Sequence, residues 1–211
     1  MLLGAFAESR SPKKILDVGT GCGVLALMMA QRYPHAEITA LESDDGACYD
    51  AQTNFQSSLW GNRMELIQQD FFTYETVKTF DLIVSNPPFH FEEVLNENIR
   101  VNLAKRWEKV KFIQFYNKCI ELSNQNSKLT LIVPYLWHET HVYMAIRAGW
   151  NLSAKIIIHG SPAKLNSRVI LDFTRSQMDK VIISELVVRN EDGTYTSSYR
   201  ELTEEFHGKP I

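Results

Sequence analysis

The sequence predicts an α/β fold, a mostly parallel sheet with helices on both faces. Two observations predict it. Strand-like segments alternate with helix-like segments from Lys14 to Ala148, the pattern of successive strand–helix–strand units in a parallel sheet. After Ala148 the alternation breaks. Residues 152–159, 169–174 and 181–189 are strand-like with no helix between them, so a closing antiparallel segment is expected.

Taken in order, Lys14–Val18 reads as a short buried strand leading into a glycine turn. Residues 24–33 are apolar nearly all round, as a helix packed deep against a sheet would be, and Pro34 ends them. Glu37–Glu42 is a second strand, and Ser43-Asp44 is a cap signal for a helix over 45–59. Residues 63–68 alternate like a strand. Residues 81–85 form another that runs straight into Asn86-Pro87-Pro88-Phe89. Helical spacing returns over 107–122, where Val110, Phe112, Ile113, Tyr116 and Ile120 recur. A strand over 128–133 and a helix over 139–148 follow. Glu191-Asp192-Gly193 marks a turn before a short terminal helix at 198–206. No linker, repeat or low-complexity stretch interrupts the chain, so one domain over residues 1–211 is expected.

The composition, 45% apolar and 22% charged in 211 residues, is that of an ordinary globular domain. Apolar runs such as 24–30 are too short to span a bilayer, and the amino terminus lacks a basic leader region. Cys22, Cys48 and Cys119 are too few and too scattered for a disulfide framework or a zinc site, which fits free thiols in the cytoplasm. A formal net charge of −3 argues against strong non-specific nucleic-acid binding, while leaving room for a local basic face.

Four motifs carry chemistry. The first is Asp17-Val18-Gly19-Thr20-Gly21-Cys22-Gly23, between a strand and a helix, where glycines let the backbone approach a ligand. Val24 stands where the dinucleotide fingerprint wants its third glycine, and no Lys-Ser/Thr follows to make a triphosphate loop. The second is Glu42, whose carboxylate at a strand end can accept from both hydroxyls of a ribose; alone it does not choose the cofactor. The third is Asp70, an acceptor for an adenine amino group or, equally, a helix cap before Phe71-Phe72.

The fourth motif decides the chemistry. In Asn86-Pro87-Pro88-Phe89 two prolines remove two backbone donors, leaving the Asn86 side-chain oxygen and the Pro87 carbonyl as acceptors, with an aromatic ring at once after them. Two acceptors and a stacking ring suit a planar –NH2 group on a base or an amide. His90 beside the motif is either a substrate contact or an exposed loop histidine. His138 and His141 lie one helical turn apart without a third ligand in register, so they are expected at the surface and no metal site is expected. Arg100, Lys105, Arg106, Lys109, Lys111 and Lys118, against Glu108 alone, form a basic stretch that is either a solvated helix face or a phosphate contact.

These residues resemble the class I methyltransferases that act on amino nitrogens. More narrowly, the chain resembles the tRNA(Val) adenine-37 N6-methyltransferase family. The likeness runs from Leu2-Leu3-Gly4-Ala5-Phe6 through 17–23, Leu25-Ala26-Leu27-Met28, Ala40-Leu41-Glu42 and 81–89. It continues through Arg168-Val169-Ile170-Leu171 and Leu186-Val187-Val188-Arg189 to 199–206. The resemblance implies a Rossmann-like sheet of seven strands, mostly parallel, with one antiparallel strand. It implies S-adenosyl-L-methionine as cofactor, held by Asp17, Gly19, Gly21, Gly23, Glu42, Asp70 and Asn86. Asn86, Pro87 and Phe89 would be catalytic. Pro88, His90, Arg100, Lys105, Arg106 and Arg168 would face a single-stranded anticodon-loop adenine of tRNA. A cytoplasmic monomer with no metal and no membrane association is expected.

Two departures keep alternatives open. The family carries a segment ahead of Leu2, including a Thr-Asp-Gly, that helps close the donor pocket, and this chain is expected to lack it. Phe89-His90 stands where a tyrosine is common, and Asn-Pro-Pro-Phe-His is also a look of ribosomal guanine-N2 methyltransferases. A guanine-N2 enzyme, a protein glutamine-N5 enzyme and a non-catalytic donor- or RNA-binding module are the alternatives.

Overall fold

The computed structural model describes residues 1–87, 111–164 and 167–207. Its elements are α1 (Leu2–Phe6), β1 (Lys14–Val18), α2 (Val24–Arg32), β2 (Glu37–Glu42), α3 (Asp45–Gln56), β3 (Met64–Gln68) and β4 (Phe80–Ser85). Helix α4 covers 111–121 among the described residues. Then come β5 (Ser123–Pro134), α5 (His138–Ala148), β6 (Asn151–His159), β7 (Arg168–Thr174), β8 (Ile182–Val187) and α6 (Ser197–Thr203).

The strands form one sheet in the order β3-β2-β1-β4-β5-β7-β6-β8. Strands β1 to β5 pair in parallel, β7 runs antiparallel to both β5 and β6, and β8 returns parallel to β6. The mostly parallel sheet with one reversed strand is therefore present, but it has eight strands rather than seven. The additional strand is the 181–189 segment, which pairs along the edge of β6 and leaves Ile182 and Ile183 exposed.

Successive residues of the central strands feed opposite layers. Ile15, Leu82 and Val84 pack with Ala26, Met29, Ala51 and Phe55 of α2 and α3. Leu16 and Ile83 pack with Phe115, Tyr116 and Cys119 of α4 and Ala145 of α5. Burial on both faces is why these strands read as continuous apolar runs rather than alternating ones.

Strand β5 begins five residues earlier than the strand expected over 128–133. Side chains bond its polar head to the neighbouring strand: Ser127 Oγ donates to the Phe80 carbonyl at 2.6 Å and Asn124 Nδ2 to Asp81 Oδ1 at 2.9 Å. The head sits at a register shift between Phe80 and Leu82.

The order matters for function because chain direction across the sheet reverses between β1 and β4. From β1 the chain moves outward to β2 and β3, then returns to β4 on the other side and continues to β5. In open α/β sheets the carboxyl ends of strands at such a switch point open a crevice for ligands. The register brings Val18, Leu41 and Ser85 level there, with Glu42 and Gln68 one step out. Among the described residues no helix is long and apolar enough to cross a membrane.

Candidate active site

The crevice is a cleft of about 380 Å³, within the range of about 300–1,000 Å³ usual for small-molecule sites. A cleft of about 320 Å³ lies elsewhere, around Lys14, Glu37 and Met64 at the amino ends of the strands. Lys78 and Glu65 in its wall pair with each other at 2.8 Å, and it gathers none of the motifs. We therefore assign the site to the first cleft.

The glycine turn forms its floor. The Gly19 and Thr20 amides both donate to the Leu41 carbonyl, at 2.9 and 3.0 Å, which ties the turn to β2. Gly19 and Gly21 have φ of 70° and 57°, left-handed values that side-chain-bearing residues rarely adopt. A Cβ on Gly21 would meet nothing within 4 Å, so this glycine opens on the cleft. Gly23 does not line the cleft. It caps α2 with φ of 85°, and a Cβ there would stand 2.4 Å from the Phe55 ring, so its smallness serves the packing of α3.

Asp17 is likewise not among the residues that line the cleft. It is fully buried behind the turn and accepts from Thr20 Oγ1 at 2.6 Å, while its Oδ1 has no partner among the described residues. Burial pushes its carboxyl up to about 7, against the pull of the Thr20 hydroxyl and the Ala26 amide. The side chain shapes the turn from below.

Glu42 reaches across to the same turn. Its Oε2 accepts from the Gly21 amide at 2.9 Å, and its Oε1 accepts from the Ser43 and Asp44 amides at 2.8 and 3.0 Å. These bonds hold the carboxylate at the cleft wall and leave about one of its four lone-pair sites, on Oε2, for a ligand's hydroxyl. Asp70 acts as the cap and also stands at the cleft. Its Oδ1 accepts from the Phe72 amide at 2.7 Å and caps the short 3-10 turn Phe71–Thr73, and the residue lines the cleft.

Ser85 ends β4 with its hydroxyl donating to the Val18 carbonyl at 2.7 Å, which clamps the two strands at the switch point. Asn86 and Pro87 follow as cleft-lining residues, Asn86 exposed and Pro87 half-buried. Pro88, Phe89, His90, Arg100, Lys105 and Arg106 lie outside the described residues. Arg168, at the start of β7, lines the far end of the cleft.

The sequence reading missed an aromatic wall. Phe71, Phe72 and Phe115 all line the cleft, and the Phe71 ring lies 5.6 Å from Phe72 and 5.2 Å from Phe115. Phe115 comes from α4, where its place beside Phe112 and Tyr116 reads only as core. His138 and His141 are a further correction: both are buried. His141 Nδ1 bonds the Tyr116 hydroxyl at 2.8 Å and its ring lies 4.4 Å from Phe112. Among the described residues no three His, Cys, Asp or Glu side chains gather as metal ligands. Lys118 of the basic stretch is paired with Glu121 at 3.3 Å.

Comparison with known proteins agrees with this geometry. Residues 1–110 match the family model of the methyltransferase small domain. Proteins named tRNA1(Val) (adenine(37)-N6)-methyltransferase are similar over nearly the whole chain. That of Flavobacterium johnsoniae is 35% identical over 99% of this chain and 90% of its own. Those of Phocaeicola vulgatus and Proteus mirabilis are 34% and 32% identical, over 98% of this chain and 88% and 84% of theirs. Among solved structures, a predicted O-methyltransferase from Agrobacterium tumefaciens superposes with a TM-score of 0.71. It is 17% identical, over 97% of this chain and 94% of its own. A glycopeptide N-methyltransferase complexed with S-adenosyl-L-methionine superposes with a TM-score of 0.59. It is 12% identical, over 82% of this chain and 84% of its own. At such identities the structures show the fold, a class I methyltransferase fold.

Proposed function

We propose that this chain, which belongs to the methyltransferase small-domain family and within it to the tRNA1(Val) (adenine(37)-N6)-methyltransferases, methylates N6 of an anticodon-loop adenine in tRNA. The cofactor is S-adenosyl-L-methionine, which supplies a methyl group on a cationic sulfur. The cleft fits it: Gly21 presents bare backbone, Glu42 offers a braced carboxylate for ribose hydroxyls, and Asp70 offers an acceptor for an adenine amino group. Two carboxylates also suit a cationic ligand.

The observation that carries the reading is the placement of Asn86-Pro87 in the same cleft as Glu42 and Asp70. An exocyclic amine is a poor nucleophile because its lone pair is delocalised into the ring. The Asn86 side-chain oxygen and the Pro87 carbonyl accept its two N–H bonds, which favours a pyramidal nitrogen with its lone pair aimed at the methyl carbon. The nitrogen would displace the sulfonium sulfur in one in-line step, leaving a neutral thioether and a cationic methylated amine that would give one N–H proton to solvent; this chain's part would be positioning and acceptors set before charge develops. Leaving the stack costs a base little in a single-stranded loop. Phe89 follows the acceptors in sequence as a ring for the base to stack on, worth about 1–3 kcal/mol. We place the enzyme in the cytoplasm, with tRNA, and take it to act as a monomer.

Incubation with labelled donor and total tRNA, followed by mass spectrometry of the nucleosides, tests the reading. N6-methyladenosine is expected. N2-methylguanosine would assign the site to guanine, and labelled protein would assign it to glutamine. No transfer to any of them would leave a binding module.

A further inference from the structure

The two ends of the cleft carry opposite charge. Glu42 and Asp70 stand at the β2 and β3 end, and Arg168 stands at the β7 end. Only β5 separates β7 from β4, and Arg168 is in register with Pro134, the last residue of β5. At about 4.8 Å per strand, Arg168 starts roughly 10 Å from the strand that ends in Ser85 and roughly 14 Å from the one that ends in the glycine turn.

Arg168 is half-buried, yet its guanidinium makes no hydrogen bond or ion pair among the described residues. The other half-buried arginines are committed. Arg32 bonds Glu205 and two carbonyls, Arg63 bonds the carbonyls of Tyr33 and Ala36, and Arg175 bonds the Ser123 hydroxyl. A guanidinium does not shed its charge to suit partial burial, and its planar fork matches the oxygens of a phosphate. An uncommitted one in a cleft wall calls for an anion from outside.

We propose that Arg168 grips a backbone phosphate flanking the target adenosine while its N6 sits at Asn86. This rests on the proposed reading of the cleft. A nucleotide carries its phosphate far from its exocyclic amine, and Arg168 stands away from Asn86 on the side opposite Glu42 and Asp70. The donor's own carboxylate is the competing anion. Reading donor affinity alongside RNA affinity separates that carboxylate from a phosphate. By gripping a phosphate, Arg168 favours adenosine within a polynucleotide over free adenine, free nucleoside or a protein amide, none of which brings a phosphate.

The test uses a short RNA hairpin with one target adenosine in its loop, made in three forms: natural, and with a neutral methylphosphonate on the 5′ or the 3′ side of that adenosine. Wild type, Arg168→Met, which keeps an unbranched stem, and Arg168→Lys are compared once their thermal midpoints match. Hairpin affinity is read by fluorescence anisotropy, donor affinity by calorimetry, and transfer as kcat/KM. Arg168→Met should lose about 10- to 100-fold in hairpin affinity and in kcat/KM, with donor affinity within about twofold of wild type. One of the two neutral linkages should cost wild type a similar factor and cost Arg168→Met little more. Arg168→Lys should recover part of the loss, having the charge without the fork. Equal further losses in wild type and Arg168→Met from both neutral linkages would overturn the proposal. So would a loss confined to donor affinity, which would give Arg168 to the donor's carboxylate. A wild type that shows the phosphate dependence in binding but leaves adenosine unmethylated would support the Arg168 assignment and sink the N6 reading instead.

Discussion

Asn86 and Glu42 line one cleft but should fail differently when changed. Asn86→Ala removes an acceptor used mainly as charge develops on the acceptor nitrogen, so turnover should fall by about 10²–10³ while donor affinity by calorimetry stays within a few-fold. Near-wild-type turnover would sink the mechanism. Glu42→Gln should do the reverse. It keeps the side chain's shape but weakens charged hydrogen bonds worth about 1.5–3 kcal/mol, so donor affinity should fall about 10- to 100-fold with a smaller change in saturated kcat. Unchanged donor affinity would remove the ribose from Glu42. The sequence shows Gly19, Gly21, Glu42, Asp70 and Asn86 as a site because each stands at a strand end, where the strand-to-turn grammar puts ligand contacts. It does not show that Asp17 and Gly23 lie behind the turn, because burial depends on α3 and Phe55, which arrive from elsewhere in the chain. Phe115 was hidden for the opposite reason: on a helix an apolar residue reads as core, and only the fold turns its ring toward the cleft.

At the scale of elements, α4 and α5 are held together by the buried Tyr116–His141 hydrogen bond, with Phe112 against the imidazole and, among the described residues, no carboxylate bonded to it. Burial lowers the pKa of His141 to about 4 from the usual 6.5. The imidazole of the unfolded chain thus takes up a proton before the folded one does. The stability this neutral histidine contributes is complete above about pH 6.5 and is lost as the pH falls to about 4, a change of at most about 3 kcal/mol. Asp17 works in the other sense: its raised pKa contributes stability that is complete below about 3.8 and is lost as the pH rises to about 7. Urea midpoints for wild type and His141→Gln, measured in parallel from pH 4 to 7.5, cancel the Asp17 contribution. The wild-type advantage should shrink as the medium is acidified, and a constant difference would mean that His141 titrates normally in the fold. A histidine pair at helical spacing, without a third ligand, suggests a solvated face to a reader of sequence. What buries it is Tyr116, a partner 25 residues away. Strands were legible where both faces are buried, as in β1, β2 and β4. The head of β5 was not, because Ser123 to Ser127 are polar and pair through side-chain bonds that no propensity records. The edge strand β8 was visible as an apolar segment, and only the family expectation of seven strands argued against counting it.

At the scale of the whole molecule, the net charge of −3 means that no general attraction draws this protein to RNA. Binding a polyanion then requires that the positive charge be concentrated where the RNA lies. Residues 100–118 are the stretch where the sequence concentrates it, immediately after Asn86-Pro87-Pro88-Phe89 in the chain. Lys118 is drawn off by Glu121, which leaves Arg100, Lys105, Arg106, Lys109 and Lys111 as candidates. Each phosphate they neutralise releases a condensed counterion, so the number of phosphates gripped sets the slope of log affinity against log salt. Reversing Lys105 and Arg106 to glutamate should weaken tRNA binding and flatten that slope by roughly 0.7–0.9 for each phosphate no longer neutralised, with donor affinity unchanged. Arg168→Met, in the cleft wall, should flatten it by about one further phosphate's worth, additively if the two sites grip different phosphates. Binding isotherms from about 50 to 200 mM salt on the wild type, the double reversal, Arg168→Met and the triple variant read both slopes and their additivity. An unchanged slope in the double reversal would make the stretch a solvated surface. The RNA would then have to be held by the cleft alone, on a protein whose overall field repels it.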